Sequence, residues 1–330
     1  MPRLRRSLSP LDKSLLRLRW FVLDLSGAAG KLSSVRACVI FNPAAKGHKA
    51  QRFRRALDRL AREVTLRQTA APGDARRLAA QATQEGFDTI IAAGGDGTVN
   101  EVLNGIGTVP DGFTHARLGV LPVGTVNVLA RELGIPLRLE AAWAALLAEK
   151  ERRIDLPCFT YDTAAGRQQL YFVQLAGAGL DSRALELVSL ALKQKIGALA
   201  YVVAGLRALT NHPGPLTVTD AAHNLTGDLI LIGNGRKYGG NFDLFPAANL
   251  SSGRLDVCVF PKAGWWILLR CGLSLLLANR LPEDAVIRFQ STSFQLTSPQ
   301  PLHFEVDGEL AARLPARVTI EPGGLRILAV

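Results

Sequence analysis

The chain has 330 residues, 48% of them apolar and 20% charged, with a formal net charge of +11. That length accommodates two domains with separate cores, and the apolar content excludes an intrinsically disordered polymer. The excess positive charge points to anionic partners (nucleic acid, lipid headgroups or phosphorylated substrates) without choosing among them.

Residues 1–33 read as an extension. Arg3, Arg5, Arg6, Lys13, Arg17 and Arg19 are interspersed with Leu4, Leu15, Leu16, Leu18, Trp20 and Phe21, a basic amphipathic or disordered segment suited to an anionic membrane surface. Its apolar run is interrupted by Arg17, Arg19 and Asp24, which a signal peptide would not carry.

From Val35 the pattern becomes regular. An apolar run over Ala37 to Phe41 predicts a buried strand ending at Asn42-Pro43, followed by a helix from Lys46 to Arg62. A short strand over Val64 to Gln68, a helix over Asp74 to Glu85 and a strand over Thr89 to Ala93 come next. The strand over Leu118 to Leu121 ends in another glycine loop, and a helix follows over Leu139 to Ala148. This alternation predicts a parallel sheet with crossover helices over residues 34–149.

Over residues 150–330 the texture changes to short β-like runs. These are Leu170 to Leu175, Leu229 to Ile232, Leu255 to Phe260, Ser293 to Leu296, Leu302 to Val306 and Arg317 to Ile320. Helical inserts are predicted over Ala184 to Thr210 and from Trp265 to Ala278; the latter is short of the roughly 20 residues a bilayer span requires, and Arg270 interrupts it. The fold expected is an α/β domain with a parallel sheet, then a mostly antiparallel β-rich domain with helical inserts, with a cleft between them. Cys38, Cys158, Cys258 and Cys271 form no CxxC pair and read as reduced, buried thiols of a cytoplasmic protein.

The strongest chemical signal is the strand that runs into Gly94-Gly95-Asp96-Gly97-Thr98-Val99-Asn100-Glu101. Glycines let a backbone approach a ligand and turn successive N–H groups toward it, and a helix N-terminus adds partial positive charge, so this is a phosphate site. An ionised Asp96 there would repel phosphate unless a cation lay between them, which implies a nucleotide with Mg²⁺ coupled to Asp96. The loops Leu121 to Asn127, with Gly124 and Thr125, and Phe41 to Gly47, with Asn42 and Lys46, also follow strands. All three should emerge at one carboxyl edge of the sheet. Gly177-Ala178-Gly179 has Ser182 at its third glycine position and argues only weakly for a dinucleotide site. Late in the chain Asp307-Gly308-Glu309 reads either as an exposed hairpin turn or as the carboxylates that would activate an alcohol.

Taken together these pieces resemble the diacylglycerol kinase catalytic-domain family, which includes bacterial lipid kinases and, more distantly, sphingosine kinases. The matching segments are Asn42-Pro43, Thr69 before Gly73-Asp74-Ala75, Gly94 to Glu101, Leu121 to Asn127, Gly233-Asn234-Gly235 and Asp307-Gly308-Glu309, in the family's order. The resemblance implies an ATP site between the α/β ATP-binding domain and the β-rich lipid-substrate domain, with Mg²⁺ and a membrane-borne hydroxyl acceptor, diacylglycerol-like or sphingoid-like. It assigns Asn42, Thr69, Gly94 to Asn100 and Thr125 to nucleotide contacts, extended here to Lys46, Glu101, Gly124 and Asn127, and Asp307 with Glu309 to the catalytic turn. Two positions depart from the family pattern. Val128 stands where many members have an aspartate, and Ser252 where members with a structural Mg²⁺ have one, so no structural metal is expected at Ser252. The competing readings are an NAD kinase-like enzyme acting on a soluble nucleotide, a non-catalytic nucleotide- or lipid-sensing module, and a nucleic-acid binder. No recognition motif supports the last, and no specific nucleic-acid partner is expected. The expected location is cytoplasmic, peripheral on the inner face of the membrane.

Overall fold

The computed structural model describes residues 36–45, 54, 64–180 and 214–330. The extension over 1–33, nearly all of the helix expected from Lys46 to Arg62, and the insert from Ala184 to Thr210 lie outside the described residues.

The first half forms β1 (Ala37–Phe41), β2 (Thr65–Gln68), α1 (Asp74–Gln84), β3 (Thr89–Gly94), α2 (Asp96–Gly107), α3 (Gly112–His115), β4 (Arg117–Pro122), α4 (Val128–Glu132) and α5 (Leu139–Leu147). Strands β2, β1, β3 and β4 lie side by side and pair in parallel. Strand β3 is buried at every position and apolar after Thr89, as a parallel sheet covered on both faces requires. In α1, Ala75, Leu78, Ala79 and Ala82 recur at helical spacing and are its buried face. Gly105 of α2 sits against the Arg76 carbonyl of α1, where a Cβ would approach to 2.3 Å, so the two helices pack at close range.

The second half begins with β5 (Glu151–Thr163), β6 (Gly166–Tyr171), β7 (Leu175–Gly179), β8 (Leu216–Thr219), β9 (Asn224–Gly227) and β10 (Leu229–Gly233). It continues through β11 (Lys237–Tyr238), β12 (Phe242–Asp243), β13 (Leu255–Phe260), α6 (Trp265–Ala278), β14 (Ile287–Ser291), β15 (Ser293–Thr297), β16 (His303–Val306), β17 (Glu309–Arg313) and β18 (Ala316–Leu328). A six-stranded antiparallel sheet, ordered β14-β13-β10-β7-β16-β17, packs one face against the extended part of the first sheet. Ile230 and Ile232 enter that sandwich core with Phe159, Phe172 and Phe304. Alternate residues Leu229 and Leu231 join a third cluster on the opposite face, which α6 covers through Ile267, Leu268, Cys271 and Leu275.

Strand β18 joins the two halves. Its early residues pair with β15, its whole length pairs with β5, and Ile327 pairs in parallel with Leu118 of β4. Leu325, Ile327 and Leu328 therefore lie in the same core as Ile40, Ile90 and Leu103. Only Arg317 to Ile320 of this strand is read from the sequence, because Pro322-Gly323-Gly324 marks a break by composition. The structure carries the strand across it with a register shift between Glu321 and Leu325. The segment read as one strand over Leu170 to Leu175 is the end of β6 and the start of β7, separated by Phe172 to Gln174. The Gly177-Ala178-Gly179 pattern lies inside β7, paired to β10, and forms no dinucleotide loop.

Candidate active site

Because β1, β3 and β4 are parallel, their following loops meet at one edge. The Gly94-Gly95 and Gly124 loops touch backbone to backbone: the Val123 and Gly124 amides donate to the Gly94 carbonyl at 2.9 and 3.2 Å. A Cβ on Gly124 would stand 2.5 Å from the Gly95 Cα, and one on Gly94 would stand 2.3 Å from Thr98 Oγ1. These glycines are required by contact, not by backbone dihedral. Asn42, at the end of β1, donates from Nδ2 to Thr98 Oγ1 at 3.0 Å, so the first loop is tied to the same point.

Gly95 is the N-cap of α2 and supplies no side chain to it. The first amides of a helix have no acceptor within it, so those of Asp96, Gly97 and Thr98 remain available to an anion. Asp96 does not project freely into this nest. Its Oδ1 accepts the Val128 amide at 2.7 Å, and it caps the first turn of α4. Burial, reinforced by the charge of Asp307, holds its carboxyl above the usual aspartate range, against the favourable amides of Val128, Leu129 and Asn127. Asn127 is buried in left-handed backbone at φ 53°. Its Nδ2 donates to the Gly124 carbonyl at 2.8 Å, while its Oδ1 has no hydrogen-bond partner. Asn127 Oδ1 lies beside Gly124, and an orphaned carbonyl oxygen together with the Asp96 carboxylate is donor chemistry that fits a hard cation rather than phosphate itself.

Asp307 and Gly308 both have positive φ, 48° and 85°, and form the turn between β16 and β17. This is the geometry of an Asp-Gly hairpin turn, one of the two readings the sequence leaves open there. Its aspartate is fully engaged: Oδ2 accepts from Asn100 Nδ2 at 2.9 Å and the Val173 amide at 3.0 Å, and Oδ1 from the Gln174 and Leu175 amides at 2.9 and 3.1 Å. Glu309, two residues on, is exposed, and a Cβ on Gly97 would meet its Oε1 at 2.8 Å. The second domain thus delivers one carboxylate to the first turn of α2 and uses the other to lock the delivery in place.

Of the residues singled out in the sequence, Asn42, Gly94, Gly95, Asp96, Gly97, Thr98, Gly124, Asn127 and Glu309 converge here. Thr69 directly follows β2, its amide on the Phe41 carbonyl at 3.0 Å, and Thr125 is exposed on the second loop. Others face elsewhere. Val99 is a core side chain whose amide bonds the Gly95 carbonyl, and Asn100 holds Asp307. Glu101 accepts the Gly73 and Ala75 amides at 3.0 Å each, capping α1. Lys46 lies outside the described residues.

Sequence reasoning missed a second layer. Asn104, one turn beyond Asn100, exchanges hydrogen bonds with the Tyr171 backbone, giving Nδ2 to its carbonyl at 2.9 Å and taking its amide at 2.8 Å. The i, i+4 asparagine pair on one helix face was the available signal. Glu132 of α4 accepts Gln174 Nε2 at 3.1 Å and the Lys237 amide at 3.0 Å, a link with no signature in sequence. Asn234, within the Gly233-Asn234-Gly235 segment that the sequence marks without assigning a role, is fully buried, donates to the Val173 carbonyl at 2.7 Å and braces the same segment. The loop containing Ser252 is closed by Asp155, which accepts the Gly253 amide at 2.6 Å and the Gly323 amide at 2.9 Å. Among the described residues, no cluster of three or more His, Cys, Asp or Glu side chains is placed to hold a metal.

Comparison with known proteins matches this architecture. A profile described as the diacylglycerol kinase catalytic domain covers residues 36–158, and one described as the YegS C-terminal NAD kinase beta sandwich-like domain covers 174–329. A Pseudomonas aeruginosa protein named "Probable lipid kinase YegS-like" is 33% identical over 81% of this chain and 84% of its own length. The chain belongs to the YegS-like lipid kinase family. A Salmonella newport relative named "Probable lipid kinase YegS" is 31% identical over 80% of this chain and 85% of its own. The structure of a diacylglycerol kinase from Bacillus anthracis strain Sterne superposes with a TM-score of 0.69, at 20% identity, covering 89% of this chain and 97% of that one, and shares its fold. This YegS-like chain is therefore a lipid kinase, and kinase chemistry of this family uses ATP. No helix among the described residues is long and apolar enough to cross a membrane.

Proposed function

We propose that this kinase transfers the γ-phosphate of ATP to a hydroxyl of a membrane lipid, diacylglycerol-like or sphingoid-like, with Glu309 as the base. The observation that carries the assignment is the contrast within one turn. Asp307 has both oxygens occupied by four donors, whereas Glu309 is exposed and lies against Gly97 at the N-terminus of α2. A base must reach the substrate proton, and a carboxylate held by three backbone amides and Asn100 is an anchor instead. The amides at the start of α2 and the Gly124 loop bind and orient the phosphates. As the acceptor oxygen bonds to the γ-phosphorus, its proton passes to Glu309 and the bridging oxygen leaves with ADP. Asp96 and Asn127 Oδ1 would hold Mg²⁺ there, which when bound supplies neutralisation of phosphate charge.

The net charge of +11 supports a partner surface rich in anionic lipid, with the enzyme peripheral on the inner face of the membrane. A second reading, phosphorylation of a soluble nucleotide, draws on the NAD kinase-like description of the second domain. Incubating the enzyme with ATP and a panel of lipid alcohols in vesicles, beside NAD, tests the assignment. Phosphate found on NAD alone would overturn it, as would ATP binding without transfer to any alcohol, the behaviour of a sensing module.

A further inference from the structure

Among the described residues, eleven large apolar side chains are exposed, and six of them belong to one helix, α6. They are Trp265, Trp266, Leu269, Leu273, Leu276 and Leu277, of which Trp266 and Leu277 are 82% and 86% exposed. The spacing from Trp266 through Leu269 and Leu273 to Leu276 is three, four and three residues, which draws one continuous stripe along the helix. The opposite face, through Ile267, Leu268, Cys271 and Leu275, is packed on the six-stranded sheet. The stripe is therefore neither core nor scattered surface leucine. It is an apolar face that the described fold leaves uncovered.

We infer that α6 is the element that seats this kinase in a lipid surface, lying in the interface with Leu269, Leu273, Leu276 and Leu277 among the acyl chains and Trp266 at the headgroup level. The inference rests on the lipid-acceptor reading above and adds where the enzyme meets the lipid. Fourteen residues make a helix about 21 Å long. A span of the hydrocarbon layer would need about 30 Å, so the helix lies flat. The two adjacent indoles, one at each edge of the stripe's N-terminal end, have the amphipathic character that favours the headgroup level. Lys262 precedes the helix and Arg280 follows it, both exposed, so cations bracket the stripe at its two ends. Arg270, the one charge within the helix, is bidentate to Asp284 at 2.7 Å for each bond, and leaves no net charge there; Glu283 is the remaining exposed acid nearby. A second copy of the chain would bury the same apolar face, but the bracketing cations would then confront each other across the contact.

The test uses the full chain and the double variant Trp266→Gln/Leu277→Gln, whose side chains touch solvent rather than core. Sedimentation with phosphatidylcholine vesicles containing phosphatidylglycerol measures partition, and kinase activity is followed on vesicle-borne diacylglycerol and on a short-chain soluble diacylglycerol. Removing two large apolar side chains from a lipid-buried face should weaken partition by on the order of a hundredfold. The vesicle KM should rise accordingly, while turnover of the soluble analogue stays as in the parent. Unchanged partition of the variant would overturn the inference. So would a dimeric parent and a monomeric variant at equal vesicle affinity, which would make the stripe a contact between copies. The two readings fail separately. Phosphate transfer to neither lipid refutes the kinase substrate while vesicle partition still reports on α6, and turnover of the soluble lipid without vesicle binding refutes α6 alone.

Discussion

Asn100 of α2 donates its side-chain amide to Asp307 at 2.9 Å, and across that bond the helix that begins in the glycine nest holds the turn that carries Glu309. The two residues stand 207 positions apart. Asn100 Nδ2 also reaches the Tyr171 carbonyl at 3.2 Å, so one amide grips both ends of the second domain's contribution. A hydrogen bond to a buried charge contributes about 1.5–3 kcal/mol, and removing one partner strands the other. Asn100→Ala should therefore lower stability by about 2 kcal/mol and reduce kcat more than it changes ATP affinity. Urea denaturation and steady-state kinetics on the same preparation check both; an unchanged kcat would show that Glu309 does not depend on this anchor.

Glu309→Gln keeps the size of the side chain beside Gly97 and removes its basicity. A general base contributes about 10²–10⁴-fold to rate, so kcat should fall within that range while the ATP dissociation constant stays near the parent value. Asp307→Asn should behave differently, since an amide nitrogen would face donors that now meet a carboxylate. Stability should fall along with activity. Equal folding stability of the two variants would mean that the division of roles within the turn is wrong.

Gly124→Ala places a methyl group where the Gly95 Cα already stands 2.5 Å away, and backbone cannot swing aside as a side-chain tip does. The two loops must separate. ATP binding, measured by calorimetry, should weaken at least about tenfold, a cost of about 1.4 kcal/mol. Gly272, at which an added Cβ meets nothing within 4 Å, supplies the control: Gly272→Ala should leave ATP binding unaltered.

Asp96 is held above the usual aspartate range by burial and by Asp307, so its folded state binds the proton more tightly than its unfolded state does. Its contribution to stability is therefore present below the unfolded value of about 3.9 and is lost as pH rises through the folded value. Asp96→Asn removes that titration but keeps an oxygen for the Val128 amide. The stability of the variant relative to the parent should rise between pH 4 and pH 7, while turnover is abolished at saturating Mg²⁺. A relative stability that falls with pH would reverse the sign of the argument, and near-normal turnover would remove Asp96 from the site.

The nest was legible in the sequence because its chemistry is local. Strand, glycines and helix start fall within a dozen residues, and Gly94, Gly95 and Gly97 around a single aspartate mark a loop shaped for a ligand. Its contacts were less legible. Gly97 reads as room for phosphate, yet it also gives room to Glu309 from the far end of the chain. Asn100 and Glu101 sit in the glycine-rich run and look like ligand contacts, but the first holds Asp307 and the second caps α1. Which way a helical side chain faces depends on neighbours that arrive from other elements, and no local pattern encodes them. Val128 illustrates the converse. Its side chain departs from the family's aspartate, while its backbone amide, which no residue type reveals, is what Asp96 binds. Strand β18 escaped for a third reason, that Pro322-Gly323-Gly324 ordinarily ends a strand and here only shifts its register.

Domains are generally expected to fold in the order they are made. Strand β18 forbids that order here. Leu325, Ile327, Leu328 and Ala329 belong to the core built on β1, β3 and β4, and Ile327 pairs with Leu118 beside the nucleotide loops. Until residues 325–329 have been synthesised, the edge of β4 has no neighbour and the first core lacks part of its wall. A nascent chain that already carries the whole glycine nest is thus an open-edged intermediate for the time taken to translate some two hundred further residues. During that interval the unpaired edge of β4 is a template for pairing with another chain, and the turn that carries Glu309 is made only near its end. Ribosome-stalled chains ending before Gly324 should stay protease-sensitive in β4, and release of the last residues should protect both halves in a single step.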